Sequence, residues 1–403
     1  MKIFSYSLLF TVSAGLFLGS CSKSTDPDPN PTNSNVLKGT ISSDRILING
    51  ADAIDYYLED VVSVEAKLTI EPGTVIAAKA GSGISFSTAK GVVVAKGTME
   101  KPIVFRSESG AKGGWLGMKF NDSNNPLNEL TYVTITDGGS TSFDGNEKSK
   151  GNLQFSGTNQ IKMNKCIVSN SANWGIYETF SSDLTLVEFD SNRFNNNTNF
   201  PIYVFDQTVK DLGSSSFFTG NTRNFIGLLQ KSFLGLPGAH SWKKQGVPYF
   251  WDDTDRLVIG YNTTNGSLIL EAGLTLVMGP GTGIVVGDNS NNTASLQLSG
   301  TSTNPVIVRG ESPVKGFWKG ILIGTGSALN DFSFATISDG GSVNLSNGVS
   351  KANVVIDSDS NLKMSNTTLS NSAGCGSTKA EDATVTGSGN VYNNNTTGTN
   401  CTF

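Results

Sequence analysis

Charge is scarce in this chain of 403 residues: only 16% are Asp, Glu, Lys or Arg, and there is a single histidine. One histidine and four cysteines leave no Cys/His spacing that would hold zinc. Lys and Arg total 29 against 34 Asp and Glu, a net charge of −5. No basic stripe with interleaved aromatics appears, so no nucleic-acid partner held through phosphates is expected. Helix formers are sparse, and no long 3.6-residue period appears beyond the N-terminal segment. No Ser or Cys nucleophile motif accompanies His240, so a solvated loop is expected for it, not a general base.

A long apolar run occurs at the start of the chain. Lys2 precedes the mostly apolar stretch Phe4 to Leu18, and Leu18-Gly19-Ser20-Cys21 follows. Small residues directly before a cysteine, at the end of such a run, resemble a bacterial lipoprotein lipobox. The resemblance implies a signal peptide over residues 1–20 and acylation of Cys21. Lipid chains there would hold the protein on a membrane, each buried methylene contributing about 0.8 kcal/mol. Ser22 stands where an Asp would suggest inner-membrane retention, so an outer-membrane address is expected, on the periplasmic face or the cell surface. Polar, Pro-rich residues follow Cys21, and residues 21–45 are expected to act as a flexible tether.

From Leu37 the pattern changes to short runs with period-two alternation, such as Ile103-Val104-Phe105 and Tyr132-Val133-Thr134-Ile135. They are separated by Gly, Asn, Asp or Ser, and Gly totals 46. Each run is too short for a helix and reads as a strand. The order of runs repeats. Thr134 to Ser140, TITDGGS, returns as TISDGGS at Thr336 to Ser342. Leu68 to Phe86 aligns with Leu268 to Val286, Trp115 with Trp318, and Ser169 to Ala172 with Ser370 to Ala373. The chain is therefore read as an internal duplication of roughly 200 residues.

A finer period lies inside each copy. Val133 to Asp137 aligns with Cys166 to Asn170, and Val187 to Ser191 is taken as the next layer. That register puts Val133, Cys166 and Val187 in one inward column, and Ile135, Val168 and Phe189 in another. Asp137, Asn170 and Ser191 then mark the corner. Two inward apolar residues, a polar one between them and a turn former suit a rung of about 20–30 residues that stacks on its neighbours. The motifs LTIEPGTVI, KGTxxKPIVF, WxGxxF and YVTIxDGG together resemble right-handed parallel β-helix lipoproteins of Gram-negative bacteria. The resemblance covers residues 46 to 400 and implies an all-β, right-handed parallel β-helix (solenoid) of two homologous halves. The first copy is expected over residues 46–246 and the second over 247–403, stacked on the first, with GAHSWKKQG (Gly238 to Gly246) interrupting the strands between them.

Stacked rungs would bring Cys375 and Cys401, about one coil apart, within disulfide range, and export permits the bond. Cys166, in an inward column, is expected to be a buried free thiol.

Candidate chemistry is thin. Glu188 and Asp190 alternate on one strand, and paired carboxylates are the signature of glycoside hydrolysis. The second copy has Thr386 and Ser388 there, so solvated charges are the better reading. Tyr249, Trp251, Asp252, Asp253 and Asp255 join aromatics and acids in one segment that would suit a sugar-binding surface; burial of the aromatics at the junction is the alternative. Asp137 and Asp339 precede Gly-Gly as turn acids. Calcium there would find one Asp where it wants several oxygens, so no metal or other cofactor is expected. Trp115 and Trp318, equivalent in both copies, are expected to pack a corner. The expected function is a non-catalytic, lipid-anchored scaffold or binding protein of the cell envelope, with polysaccharide or another surface component as partner. The alternative is a polysaccharide lyase or glycoside hydrolase acting on an outer face.

Overall fold

The computed structural model describes residues 35–403, apart from 51, 144, 146–148, 181, 254, 263, 288–292 and 347–350. Cys21, the expected signal peptide and most of the expected tether lie outside the described residues. Residues from Asn35 to Phe403 form one compact unit. Its described residues form short strands with a single 3-10 turn at Val209–Asp211, and no described helix is long and apolar enough to cross a membrane.

Neighbouring strands pair in parallel, each with strands one coil away in sequence, so the sheets grow coil upon coil. The described strands make an 8-stranded, a 14-stranded and three 6-stranded sheets, consistent with a parallel β-helix. Alternation decides which side chains fill the interior. In Ile103–Ser107 the buried residues are Ile103, Phe105 and Ser107. The register stacks Ile76, Phe105, Ile135, Val168, Phe194 and Phe218 into one column of the 8-stranded sheet. Each buried large side chain of this kind contributes about 1.5–3 kcal/mol, and lateral hydrogen bonds satisfy the backbone.

The third rung is not where the sequence pattern put it. Val168 pairs with Phe194 of Arg193–Asn195, not with Phe189. Asp183–Asp190 belongs instead with Thr158–Asn164, where the register slips between Ile161 and Lys162 and leaves Val187 exposed on a bulge. The corner column is accordingly Asp137, Asn170 and Asn196, all with positive φ; Ser191, also at positive φ, turns a different corner. Their side chains join across coils: Asn170 donates to Asp137 at 2.6 Å, and Asn371 to Asp339 at 2.8 Å. Asn and Asp tolerate the left-handed backbone that the corner requires.

Trp115 and Trp318 sit in matching pockets. Each is fully buried, and each indole donates to a strand carbonyl, Thr136 at 2.7 Å and Ser338 at 2.6 Å. Beside them Asn152 accepts from the Gly138 amide and Asn353 from the Gly340 amide, both at 2.7 Å.

The 14-stranded sheet runs from Thr40–Ile41 to Val391–Asn393 without interruption, but its neighbours change. The 8-stranded sheet ends at Phe217–Thr219, and one 6-stranded sheet ends at Asp183–Asp190. Two further 6-stranded sheets start at Gly238–Trp242 and Arg256–Ile259. Strands that match in sequence also change sheet: Val75–Ala78 lies in the 8-stranded sheet and Thr275–Met278 in the 14-stranded one. The matching sequence motifs therefore resume one sheet out of phase. The segment expected to interrupt the strands is itself a strand as far as Trp242, pairing with Gly266–Glu271, and it buries His240.

Candidate functional site

The break between sheets brings two fully buried carboxylates, Glu178 and Asp206, close to an aromatic cluster outside the main core. On the 14-stranded sheet, residues alternate between interior and outside. Ile176, Ile202, Ile226 and Tyr249 face in, so their followers Tyr177, Tyr203, Gly227 and Phe250 face out. Tyr177, Tyr203 and Phe250 form, with Phe200 and Val277, a buried cluster separate from the main core, and Trp174, Phe225 and Leu229 are half-buried at its rim. Trp174 and Tyr177 lie 4.7 Å apart by ring centroids, Tyr177 and Tyr203 5.7 Å, and Phe200 and Tyr203 5.4 Å. Gly227 makes room for Phe200: a Cβ at Gly227 would run into Tyr203 and lie 2.8 Å from the Phe200 ring. The Arg223 guanidinium covers Phe200 and Phe250 at 4.3 and 4.4 Å and reaches Asp252 and Glu311. Cation–π contact and ion pairing hold that arginine flat on the cluster.

At the corner where the strands Trp174–Glu178 and Ile202–Phe205 of the 14-stranded sheet end, polar side chains turn inward. Glu178 follows the inward position of Ile176 by two and is fully buried. Its carboxylate accepts from the Phe205 amide at 3.0 Å and the Thr208 hydroxyl at 2.8 Å. Burial outweighs those bonds and pushes Glu178 up to about 7. One coil on, Asp206 is buried and also pushed up to about 7, although it accepts from the Lys231 amide and from Gln230. The coil after Asp183–Asp190 carries the 3-10 turn Val209–Asp211 in place of a full strand. A cavity of about 160 Å³ opens there, lined by Glu178, Asp183, Thr208, Lys210, Asp211 and Lys231, among others. Asp211 is also raised by burial. Phe205 lines the cavity and has the Lys231 ammonium 5.0 Å from its ring centre. Phe180, 80% exposed, meets Phe205 edge-on at 6.0 Å.

The residues singled out from sequence fall around this site unevenly. Glu188 and Asp190 are exposed and held by separate partners, Lys162 and Asn164 for one and Ser215 for the other. Those partners hold both carboxyls below their usual range, so neither is poised as a neutral-pH acid. Tyr249 and Trp251 are both 0% exposed, packed in the main core, and offer no ligand surface; this corrects the sugar-binding expectation for the pair. Phe250 between them joins the outer cluster. Asp252 accepts from the Tyr203 hydroxyl at 3.0 Å and is raised chiefly by burial. Asp253 accepts from the Gln230 amide, and Asp255 pairs with Lys319 and Arg256. Among the described residues no three His, Cys, Asp or Glu side chains group to hold a metal. Cys375 and Cys401 form a disulfide with Cα atoms 6.3 Å apart. Cys166 is a free, buried thiol that desolvation pushes up to about 12.

Sequence reasoning missed Glu178, Asp206, Lys210, Asp211 and Lys231. One sign was available: alternation from Ile176 sends Glu178 inward, an unusual place for a carboxylate. No family model, curated protein or solved structure matches the chain.

Proposed function

We propose that the chain is a non-catalytic scaffold of the cell envelope, anchored by lipid on Cys21 at the outer membrane, that binds polysaccharide on the outside of its 14-stranded sheet. The observation that carries this reading is the half-buried aromatic rim, Trp174 and Phe225, that the buried outer cluster holds at the surface, flanked by Arg223, Asp252 and Glu311. Sugar rings pack apolar faces on aromatics while their hydroxyls bond to a charged rim, and a long parallel sheet offers a repeating track for a polymer. Residues 1–20 would be removed as the signal peptide, and residues 21–45 would hold the folded part away from the bilayer.

The same reading takes the fold as a right-handed parallel β-helix of two homologous halves, residues 46–246 and 247–403. Right-handed crossover is the physical preference between parallel strands. The matching bonds of Trp115 with Trp318, and of Asn152 with Asn353, support a duplication.

A second reading, glycoside hydrolysis, has one observation in its favour: Glu178 is held partly protonated near neutral pH beside a cavity. Incubation of the full chain in detergent with a panel of polysaccharides tests both. Retention without chain shortening is the expected result. Released oligosaccharides from any polymer would replace the binding reading with the hydrolytic one, and loss of retention in Trp174→Ala would locate the surface.

A further inference from the structure

The cavity at the corner has a different character from the outer aromatic face. It exists because the sheet containing Asp183–Asp190 stops there and the next coil supplies only a 3-10 turn. Its volume of about 160 Å³ exceeds the ~30 Å³ share of one water several-fold, yet lies below the ~300 Å³ at which sites for drug-sized ligands begin. That is room for one small unit of a polymer. Its lining joins two groups that can donate, the Lys210 and Lys231 ammoniums, to two that can accept, the Asp183 and Asp211 carboxylates; the Thr208 hydroxyl already donates to Glu178, and Asp211 accepts from the Leu186 amide. Burial keeps Glu178 partly protonated near pH 7, so the lining is then nearly balanced in charge. A carboxylate ligand would face Asp183 and Asp211, and an ammonium ligand would face two lysines. Hydroxyl groups, which donate and accept together, suit both sets. Phe180 is left almost wholly in solvent against Phe205 of the lining, an aromatic platform beside the polar pocket.

We propose that this cavity is a second saccharide subsite that takes one uncharged, hydroxyl-rich sugar unit, with Phe180 as its stacking platform and Asp183, Lys210, Asp211 and Lys231 as its polar contacts. The proposal rests on the polysaccharide-binding reading for its ligand class but not on the outer aromatic face for its site.

The test is titration calorimetry of the full chain in detergent with short neutral oligosaccharides (glucan, mannan and galactan series) and with uronate oligosaccharides. Phe180→Ala and Asp183→Asn alter exposed residues and are checked for unchanged circular dichroism; Trp174→Ala reports on the outer face. Neutral oligosaccharides should bind, uronates at least tenfold more weakly, and each cavity variant should lose at least tenfold while Trp174→Ala does not. Neutral binding left intact in both cavity variants overturns the subsite, as does a preference for uronates. If short oligosaccharides fail to bind while polymers are still retained, the subsite falls and the outer-face reading stands. If short oligosaccharides bind as described but polymers are not retained through Trp174, the outer-face reading falls and the subsite stands. Absence of any saccharide binding ends both.

Discussion

Glu178 occupies the position next to Phe155 in the parallel register of the 14-stranded sheet. Phe86, Phe120 and Phe155 stack there at 5.1 and 5.2 Å, and the fourth member of the column is a carboxylate. Lys379, which the repeated sequence pattern aligns with Glu178, bonds to the Ala383 carbonyl. The aromatic column therefore ends on a buried acid, at the place where the sheets change.

That acid makes stability fall as pH rises. Burial is the main cause of its shift from 4.5 to about 7. The folded state thus holds the proton more strongly than the unfolded one, so the stabilisation is complete below about pH 4.5 and is lost as pH rises through about 7. The linked change is about 3 kcal/mol for this group, and Asp206 acts in the same direction. Urea unfolding of wild type and Glu178→Gln between pH 4.5 and 8 checks it: the variant should lose part of the pH dependence. An unchanged pH profile would mean that Glu178 is ionised throughout.

Asn152 and Asn353 test the duplication energetically. Each bridges a Gly amide and a strand carbonyl inside the fold, the second bonds running to Ser169 and Ser370. Removing either side chain leaves the buried Gly amide without an acceptor, at about 1–3 kcal/mol, while the Ser169 and Ser370 carbonyls keep the Asp137 and Asp339 amides. Asn152→Ala and Asn353→Ala should lower unfolding free energy by similar amounts, whereas a harmless change at one site would show that the two corners differ.

Gly227 is the spacer of the outer cluster. Gly227→Ala places a methyl against Tyr203 and Phe200, at a cost of about 1–3 kcal/mol for overpacking. Thermal unfolding should shift down and near-ultraviolet dichroism from the aromatic stack should change. Native values for both would contradict the packing described for Phe200.

The disulfide restrains the last coil. In a Cys21→Ser chain denatured without reductant, thiol titration should find Cys166 alone; three thiols would show that Cys375 and Cys401 are unpaired. Reduction should lower stability by up to about 3–4 kcal/mol through the enlarged unfolded ensemble, while Cys166 stays unreactive in the native protein because it is buried and protonated.

The coils were legible wherever inward residues alternate and a turn former closes the run. Ile135, Val168 and the Asp137–Asn170 corner follow directly from that pattern. The next layer was not, because Val187-Glu188-Phe189 imitates the motif while a bulge at Val187 assigns it to another sheet. The disulfide partners followed from coil spacing. The cavity was hidden for a different reason. Glu178, Lys210 and Lys231 come from successive coils, and only the loss of a strand at Val209–Asp211 lets them share a space. Local pattern carries no trace of a missing neighbour. The aromatics of Tyr249-Phe250-Trp251 show the same limit: alternation says that one faces away from the other two, but only sheet membership says which one leaves the core.

The most direct measurement is retention of the full chain, in detergent, on immobilised polysaccharides, comparing wild type with Trp174→Ala. The account predicts retention on at least one neutral polymer, no shortening of that polymer, and at least a tenfold loss of affinity in the variant with its fold intact. Equal retention of the two proteins, or no retention of the wild type on any polymer, would contradict it.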